Sequence, residues 1–186
     1  KDNVEIINRK KAKGKPPFGQ DGDDLVSPMP SFGEGERLLV TGSTHNEWGF
    51  RKTADPAVQM KLVKRLSDKI LLNQDKIIKT EGYFLEDAEI GIIAYGITAR
   101  AALKAVKVLR ERGIKAGLLR LKTLWPFPEK AVGGLSARVK KLIVPEMNLG
   151  QIVREVERVA ECEVIRFSKV NGEVMTPTEI VQQIRK

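Results

Sequence analysis

The stretch Gly113–Arg158, GIKAGLLRLKTLWPFPEKAVGGLSARVKKLIVPEMNLGQIVREVER, decides the fold. Ala116–Leu121 and Leu142–Val144 are apolar runs of strand length. Each is followed by a turn signal and then a helix-period segment. Pro126 and Pro128 stop the first run, and Pro128 can open a helix because its missing N–H is an orphan there. Asn148 and Gly150 turn the second, after which Ile152, Val153, Val156 and Val159 form a stripe at helical spacing. Strand, helix, strand, helix at this pitch predicts a mostly parallel sheet with helices packed on it.

The flanks extend that sheet. Downstream, Glu163–Phe167 reads as the last strand and Asn171-Gly172 as a turn. Thr176-Pro177-Thr178-Glu179 is a capping box that starts a terminal helix through Ile180, Val181 and Ile184. Upstream, Ile90–Tyr95 is an apolar strand, and Gly96 turns it into a helix over Thr98–Arg112, capped by Thr98 and ended by Gly113. Tyr83–Leu85 reads as a short edge strand. Asp55 and Pro56 start a long helix with Val58, Leu62, Val63, Leu66, Ile70 and Ile77 on one face. Leu38-Leu39-Val40 reads as a short strand closed by Thr41-Gly42. Residues 1–35 carry Gly and Pro too often for a helix or a central strand and form a basic arm or linker. Residues 36–186 then make one α/β domain, a three-layer α/β/α sandwich with a mostly parallel five-stranded sheet.

Composition bounds the function. The chain of 186 residues can bury a sizeable core, and no apolar run is long enough to span a bilayer. The polar, basic start shows no secretory signal, so the expected setting is cytoplasmic. A single cysteine, Cys162, excludes an internal disulfide, an iron–sulfur cluster and a thiolate zinc site. The net charge of +9 is concentrated early, where Lys1, Arg9, Lys10, Lys11, Lys13 and Lys15 face only Asp2 and Glu5. Such an arm could meet nucleic acid, but it lacks interleaved aromatics and a binding motif, so a solvated linker is the expectation. Abundant Lys, Arg and Glu also suit a heat-adapted organism. The chain opens on lysine, which is read as the C-terminal part of a longer polypeptide.

Two motifs carry a resemblance: Leu119-Arg120-Leu121-Lys122-Thr123-Leu124-Trp125-Pro126-Phe127-Pro128 and Val144-Pro145-Glu146-Met147-Asn148-Leu149-Gly150-Gln151. They resemble the alpha subunit of 2-oxoacid:ferredoxin oxidoreductases, 2-oxoglutarate type. Ser27-Pro28-Met29-Pro30-Ser31-Phe32-Gly33-Glu34-Gly35 is similar to that family's linker. The resemblance implies a transketolase C-terminal-domain-like fold whose first strand runs against the others. It implies a holoenzyme in which thiamine diphosphate and magnesium decarboxylate a 2-oxoacid. An iron–sulfur cluster of the beta subunit then passes electrons to ferredoxin, and coenzyme A takes the acyl group. The partners implied are that beta subunit, an N-terminal pyrimidine-binding domain and ferredoxin, with no membrane. This chain alone is expected to bind no cofactor and to be inactive. Its role would be subunit assembly and support of the active site. The alternatives are the equivalent domain of another thiamine enzyme and a free-standing basic nucleic-acid module.

Few residues suggest chemistry. Asp21-Gly22-Asp23-Asp24 lies in the arm, not after a buried strand, and is rejected as a diphosphate–metal motif. No catalytic residue or metal ligand is assigned. His45, the only histidine, lies in a loop that matches the family form TGxxHxExG; with Thr41, Gly42, Asn46 and Glu47 it is a candidate active-site-adjacent loop. A structural histidine pinning that loop is the favoured reading, since no partner for a base is visible. Gly96, Thr98, Arg100, Glu146, Asn148 and Gln151 are candidates for an anion-binding or interface edge at strand ends. Trp48, Phe50, Trp125 and Phe127 are aromatics near loops and suit a subunit interface.

Overall fold

The computed structural model describes Asn8 and residues 10–184. Lys1, Asp2, Glu5 and Arg9 of the basic arm lie outside them. The chain divides by its packing into two compact units, Lys1–Gln74 and Asp75–Lys186.

In the first unit the regular element is α1 (Pro56–Leu71). Asp55 caps it, its carboxylate accepting the Ala57 and Val58 N–H groups at 3.0 and 3.2 Å, with Pro56 at the first helical position as the sequence predicts. The helix ends at Leu71 and a separate short turn, α2 (Gln74–Ile77), follows, so Ile77 does not continue the α1 face. α1 buries no residue fully. Val58, Leu62 and Ile70 are half-buried, while Val63 and Leu66 are exposed. The strand expected over 38–40 is absent. Leu39 and Val40 are exposed and have no ladder partner among the described residues, and an apolar triplet becomes a strand only when a neighbour supplies one.

The second unit holds the sheet: β1 (Thr80–Tyr83), β2 (Ile90–Tyr95), β3 (Ala116–Leu121), β4 (Lys141–Glu146) and β5 (Glu163–Ser168). Their spatial order is β1-β3-β2-β4-β5. β1 runs antiparallel to β3 and the other pairs are parallel. The antiparallel strand is therefore this edge strand. It sits earlier than the expected 83–85 because Phe84 takes a left-handed φ of 55° and ends it. The helices are α3 (Gly96–Glu111), α4 (Glu129–Ser136), α5 (Ile152–Val159) and α6 (Pro177–Ile184).

Strand period puts alternate side chains on opposite faces. Ile92, Leu118 and Ile143 pack with Ala102, Val106, Leu109, Ile180 and Ile184 of α3 and α6. Ile93, Leu119, Leu142 and Val144 pack with Val132, Leu135, Val153 and Val156 of α4 and α5. The three-layer sandwich and its mostly parallel five-stranded sheet are thus as the sequence predicts. Burying the larger of these side chains, the valines, leucines and isoleucines, contributes about 1.5–3 kcal/mol each by removing them from water.

Helix ends follow local chemistry. Gly113 and Ile114 donate to the Arg110 and Leu109 carbonyls, both at 3.0 Å, and close α3. The capping box at α6 is reciprocal. Thr176 N–H reaches Glu179 Oε2 at 2.7 Å, and Glu179 N–H reaches Thr176 Oγ1 at 3.3 Å. Thr98, by contrast, is not a cap. Gly96, at φ 54°, makes the turn directly after Tyr95, so the helix is under way by Thr98, whose side chain is buried.

Candidate functional site

β2 and β4 are neighbours whose connections leave in opposite directions, β2 through α3 to β3 and β4 through α5 to β5. The carboxyl ends of two such strands are where open α/β sheets form a crevice. Their pairing runs from Ile90↔Lys141 to Ile92↔Ile143 and stops. Beyond it, side chains join the strand ends. Tyr95 donates its hydroxyl to Glu146 Oε1 at 3.0 Å, and Asn148 Nδ2 donates to the Tyr95 oxygen at 2.8 Å and to Glu146 Oε1 at 3.2 Å.

Glu146 is 1% exposed. Its Oε1 also accepts the Ile152 N–H and its Oε2 the Val153 N–H, both at 2.9 Å. The carboxylate therefore sits on the amino end of α5, where the helix dipole favours negative charge. Asn148 Oδ1 takes the next two amides, Gly150 at 2.8 Å and Gln151 at 3.0 Å. Burial, with Glu146 alongside, pushes the Tyr95 phenol above its ordinary value. Three donors meet on Oε1 and one on Oε2, so the carboxylate's hydrogen bonds go to Tyr95, Asn148 and the start of α5. This cluster fastens a helix to a sheet edge.

The structure thus joins Glu146, Asn148 and the Gln151 backbone and adds Tyr95, which sequence reading missed. The signal was a hydroxyl at the last position of an otherwise apolar strand. Gly96 and Arg100 are exposed at the start of α3, whereas Thr98 faces the core. Around this edge the segments that leave β2, β3, β4 and β5 expose Ile97, Trp125, Leu149 and Val170. Trp125 is 62% exposed, but Phe127 is only 8% exposed and packs in the α4–α5 layer. Phe127 therefore parts from the four-ring interface set, being buried in the core while Trp125 is exposed.

The His45 loop belongs to the first unit. Lys52 N–H bonds the Thr44 carbonyl at 2.9 Å and Asn46 N–H the Phe50 carbonyl at 2.9 Å, making a tight hairpin. Asn46 Oδ1 holds the Trp48 and Phe50 N–H groups at 3.1 and 3.0 Å. Gly49 is required at the bend. Its φ is 87°, and a Cβ there would lie 2.3 Å from the Leu39 carbonyl oxygen. His45 Nδ1 lies 2.9 Å from the Ser43 carbonyl and so carries the proton, and the ring meets Phe18 edge-on at 5.0 Å. Thr41 Oγ1 accepts the Ser43 N–H, Gly42 is exposed, and Glu47 pairs with Lys61. Trp48 and Phe50 are both about half exposed.

The acidic turn does not fit a diphosphate–metal site. Asp21 and Asp24 bond each other's backbone at 3.1 Å, and their carboxylates pair with Lys15 and Lys10. Among the described residues no group of three or more His, Cys, Asp or Glu could hold a metal.

Residues 88–180, which run from the loop before β2 into α6, match the family model described as pyruvate:ferredoxin oxidoreductase core domain II. The chain belongs to this family. Within core domain II proteins, it is 46% identical over 98% of its length to 2-oxoglutarate synthase subunit KorA of Methanocaldococcus jannaschii, covering 50% of that protein. It is also 46% identical, over 88% of its length, to the subunit of the same name from Methanothermobacter thermautotrophicus, covering 44% of it. Among solved structures, it is similar to a 2-oxoglutarate:ferredoxin oxidoreductase from Magnetococcus marinus with 2-oxoglutarate, coenzyme A and succinyl-CoA bound. That match has a TM-score of 0.82 at 28% identity, over 97% of this chain and 32% of that one. The core domain II chain thus spans about half the length of the curated relatives it matches.

Proposed function

We propose that this chain is the C-terminal domain of the alpha subunit of a thiamine-diphosphate-dependent 2-oxoglutarate:ferredoxin oxidoreductase, where it assembles subunits and supports the active site. The observation that carries the reading is 46% identity, across nearly the whole chain, to a 2-oxoglutarate synthase subunit. The site geometry agrees with support rather than chemistry, since Glu146 and Asn148 spend their polar atoms on α5 and Tyr95.

In this reading thiamine diphosphate, magnesium and the iron–sulfur cluster are held elsewhere in the holoenzyme, by the pyrimidine-binding domain and the beta subunit. No step of the reaction runs through a residue of this chain. Coenzyme A is a substrate of the complex and ferredoxin its electron acceptor. The setting is cytoplasmic; no helix among the described residues is long and apolar enough to cross a membrane. Trp125 at the sheet edge, and Trp48 and Phe50 on the His45 loop, border the subunit interface, because apolar surface left in water costs about 25 cal/mol per Å². The loop Thr41–Glu47 is the part that approaches the active site, and His45 holds it in shape.

The test is to purify the complete oxidoreductase that contains this chain and follow viologen reduction. We expect reduction that requires both 2-oxoglutarate and coenzyme A. The 186-residue chain alone should bind no thiamine diphosphate with magnesium by calorimetry. Preference for a different 2-oxoacid overturns the substrate assignment, and calorimetric binding to the chain alone overturns the division of labour.

A further inference from the structure

The first unit contains a feature that the assembly role does not use. Between the His45 loop and α1 lies a cavity of about 160 Å³. Phe18, Trp48, Val58 and Leu62 give it apolar walls, while His45, Glu47, Lys61 and Arg65 supply the polar ones. Lys61 and Glu47 neutralise each other as an ion pair. Arg65 remains: its Nη1 donates to the Leu25 carbonyl at 3.2 Å, and no carboxylate among the described residues lies within ion-pair distance of it. A guanidinium has five N–H donors, so most of its capacity is left for an incoming group.

The charge is also costly as it stands. Burial lowers the Arg65 pKa, with Glu47 opposing more weakly. A half-buried cation without a matched anion, set in an apolar recess, is stabilised by a ligand that brings the negative charge and fills the apolar volume. A guanidinium matches a carboxylate in shape, with two parallel hydrogen bonds. The volume sets the rest of the ligand, since an apolar cavity of about 150 Å³ accommodates benzene.

We propose that this cavity is a binding site for a small monocarboxylate with a single ring or short branched chain, its carboxylate on Arg65 and its body between Phe18, Trp48 and Leu62. The inference is independent of the proposed oxidoreductase role, because it concerns binding within the first unit and needs no turnover.

Trp48 lines the cavity and is one of only two tryptophans, so a Trp125→Phe variant of the chain makes it the sole indole reporter. The probe is phenylacetate, titrated against the fluorescence of that variant. We expect a saturable change with a low-millimolar midpoint, on the order of what so small a ligand can reach. Phenethylamine, the same ring with reversed charge, should give no saturable change. Arg65→Gln should weaken phenylacetate at least about tenfold while far-UV circular dichroism stays that of the parent. The proposal is overturned by a linear response to phenylacetate, by equal binding of phenethylamine, or by a folded Arg65→Gln chain that binds as well as the parent. Should Arg65→Gln fail to fold, the two probes on the parent decide the matter.

Discussion

Replacing Glu146 by Gln tests the strand-end cluster most sharply. The substitution keeps the volume but leaves one accepting oxygen instead of two. With that oxygen on the three donors now at Oε1, namely Tyr95, Asn148 and Ile152, the new amide faces the Val153 N–H that Oε2 accepts at 2.9 Å. Donor then opposes donor in a site only 1% exposed. An unsatisfied buried N–H costs about 1–3 kcal/mol. Removing the negative charge from the α5 terminus adds roughly 0.3–2 kcal/mol. The sum is about 1.3–5 kcal/mol, which at a urea m-value of about 1.5 kcal/mol/M lowers the midpoint by roughly 0.9–3.3 M. In a Trp48→Phe background Trp125 reports on the second unit alone, so its emission through a urea titration reads the loss directly. Tyr95→Phe removes one donor and should cost about 1 kcal/mol. A Glu146→Gln chain within about 0.5 kcal/mol of the parent would refute the assignment of this carboxylate to α5.

Two further outcomes are expected. Lys169, with the Thr176 amide and hydroxyl, lowers the Glu179 pKa from its ordinary 4.5 to about 2. A folded value below the unfolded one means stability present above pH 4.5 and lost as pH falls towards 2; the difference in urea midpoint between the parent and Glu179→Gln should therefore close across that window, and a constant difference would contradict it. Gly49→Ala forces a Cβ to within 2.3 Å of the Leu39 carbonyl oxygen at a φ of 87°, so it should destabilise the His45 hairpin by about 2 kcal/mol or more, read by Trp48 emission in the Trp125→Phe background; an unchanged urea midpoint would show that the loop relaxes freely.

The second unit was legible from sequence because its signals are local. Ile90–Tyr95 and Ala116–Leu121 are apolar runs, the first closed by Gly96 and the second followed by Pro126 and Pro128, and they form strands over those residues. The Thr176 capping box likewise needs only four consecutive residues. Failures came where geometry beyond the local run decides. Leu38–Val40 has strand composition but no ladder partner among the described residues, and Thr98 looks like a cap until Gly96 makes the turn two residues earlier. In the candidate site, the sequence flagged Glu146 and Asn148 but not their common target. Tyr95 lies 51 residues before Glu146, and only the β2–β4 pairing brings them together. The cavity was invisible for the same reason, since Phe18, His45 and Arg65 come from three separate segments.

The central claim is that this chain holds the oxidoreductase together rather than performing its chemistry. The most direct test is specific activity of the complete enzyme against protein concentration, for the parent and for Trp125→Ser. With Trp125 at the proposed interface, its removal should cost about 2 kcal/mol or more, so the variant's midpoint should move to roughly 30-fold higher concentration, with the same plateau at saturation. A plateau lowered by about a hundredfold at an unchanged midpoint, the size of a lost acid–base group, would contradict the account.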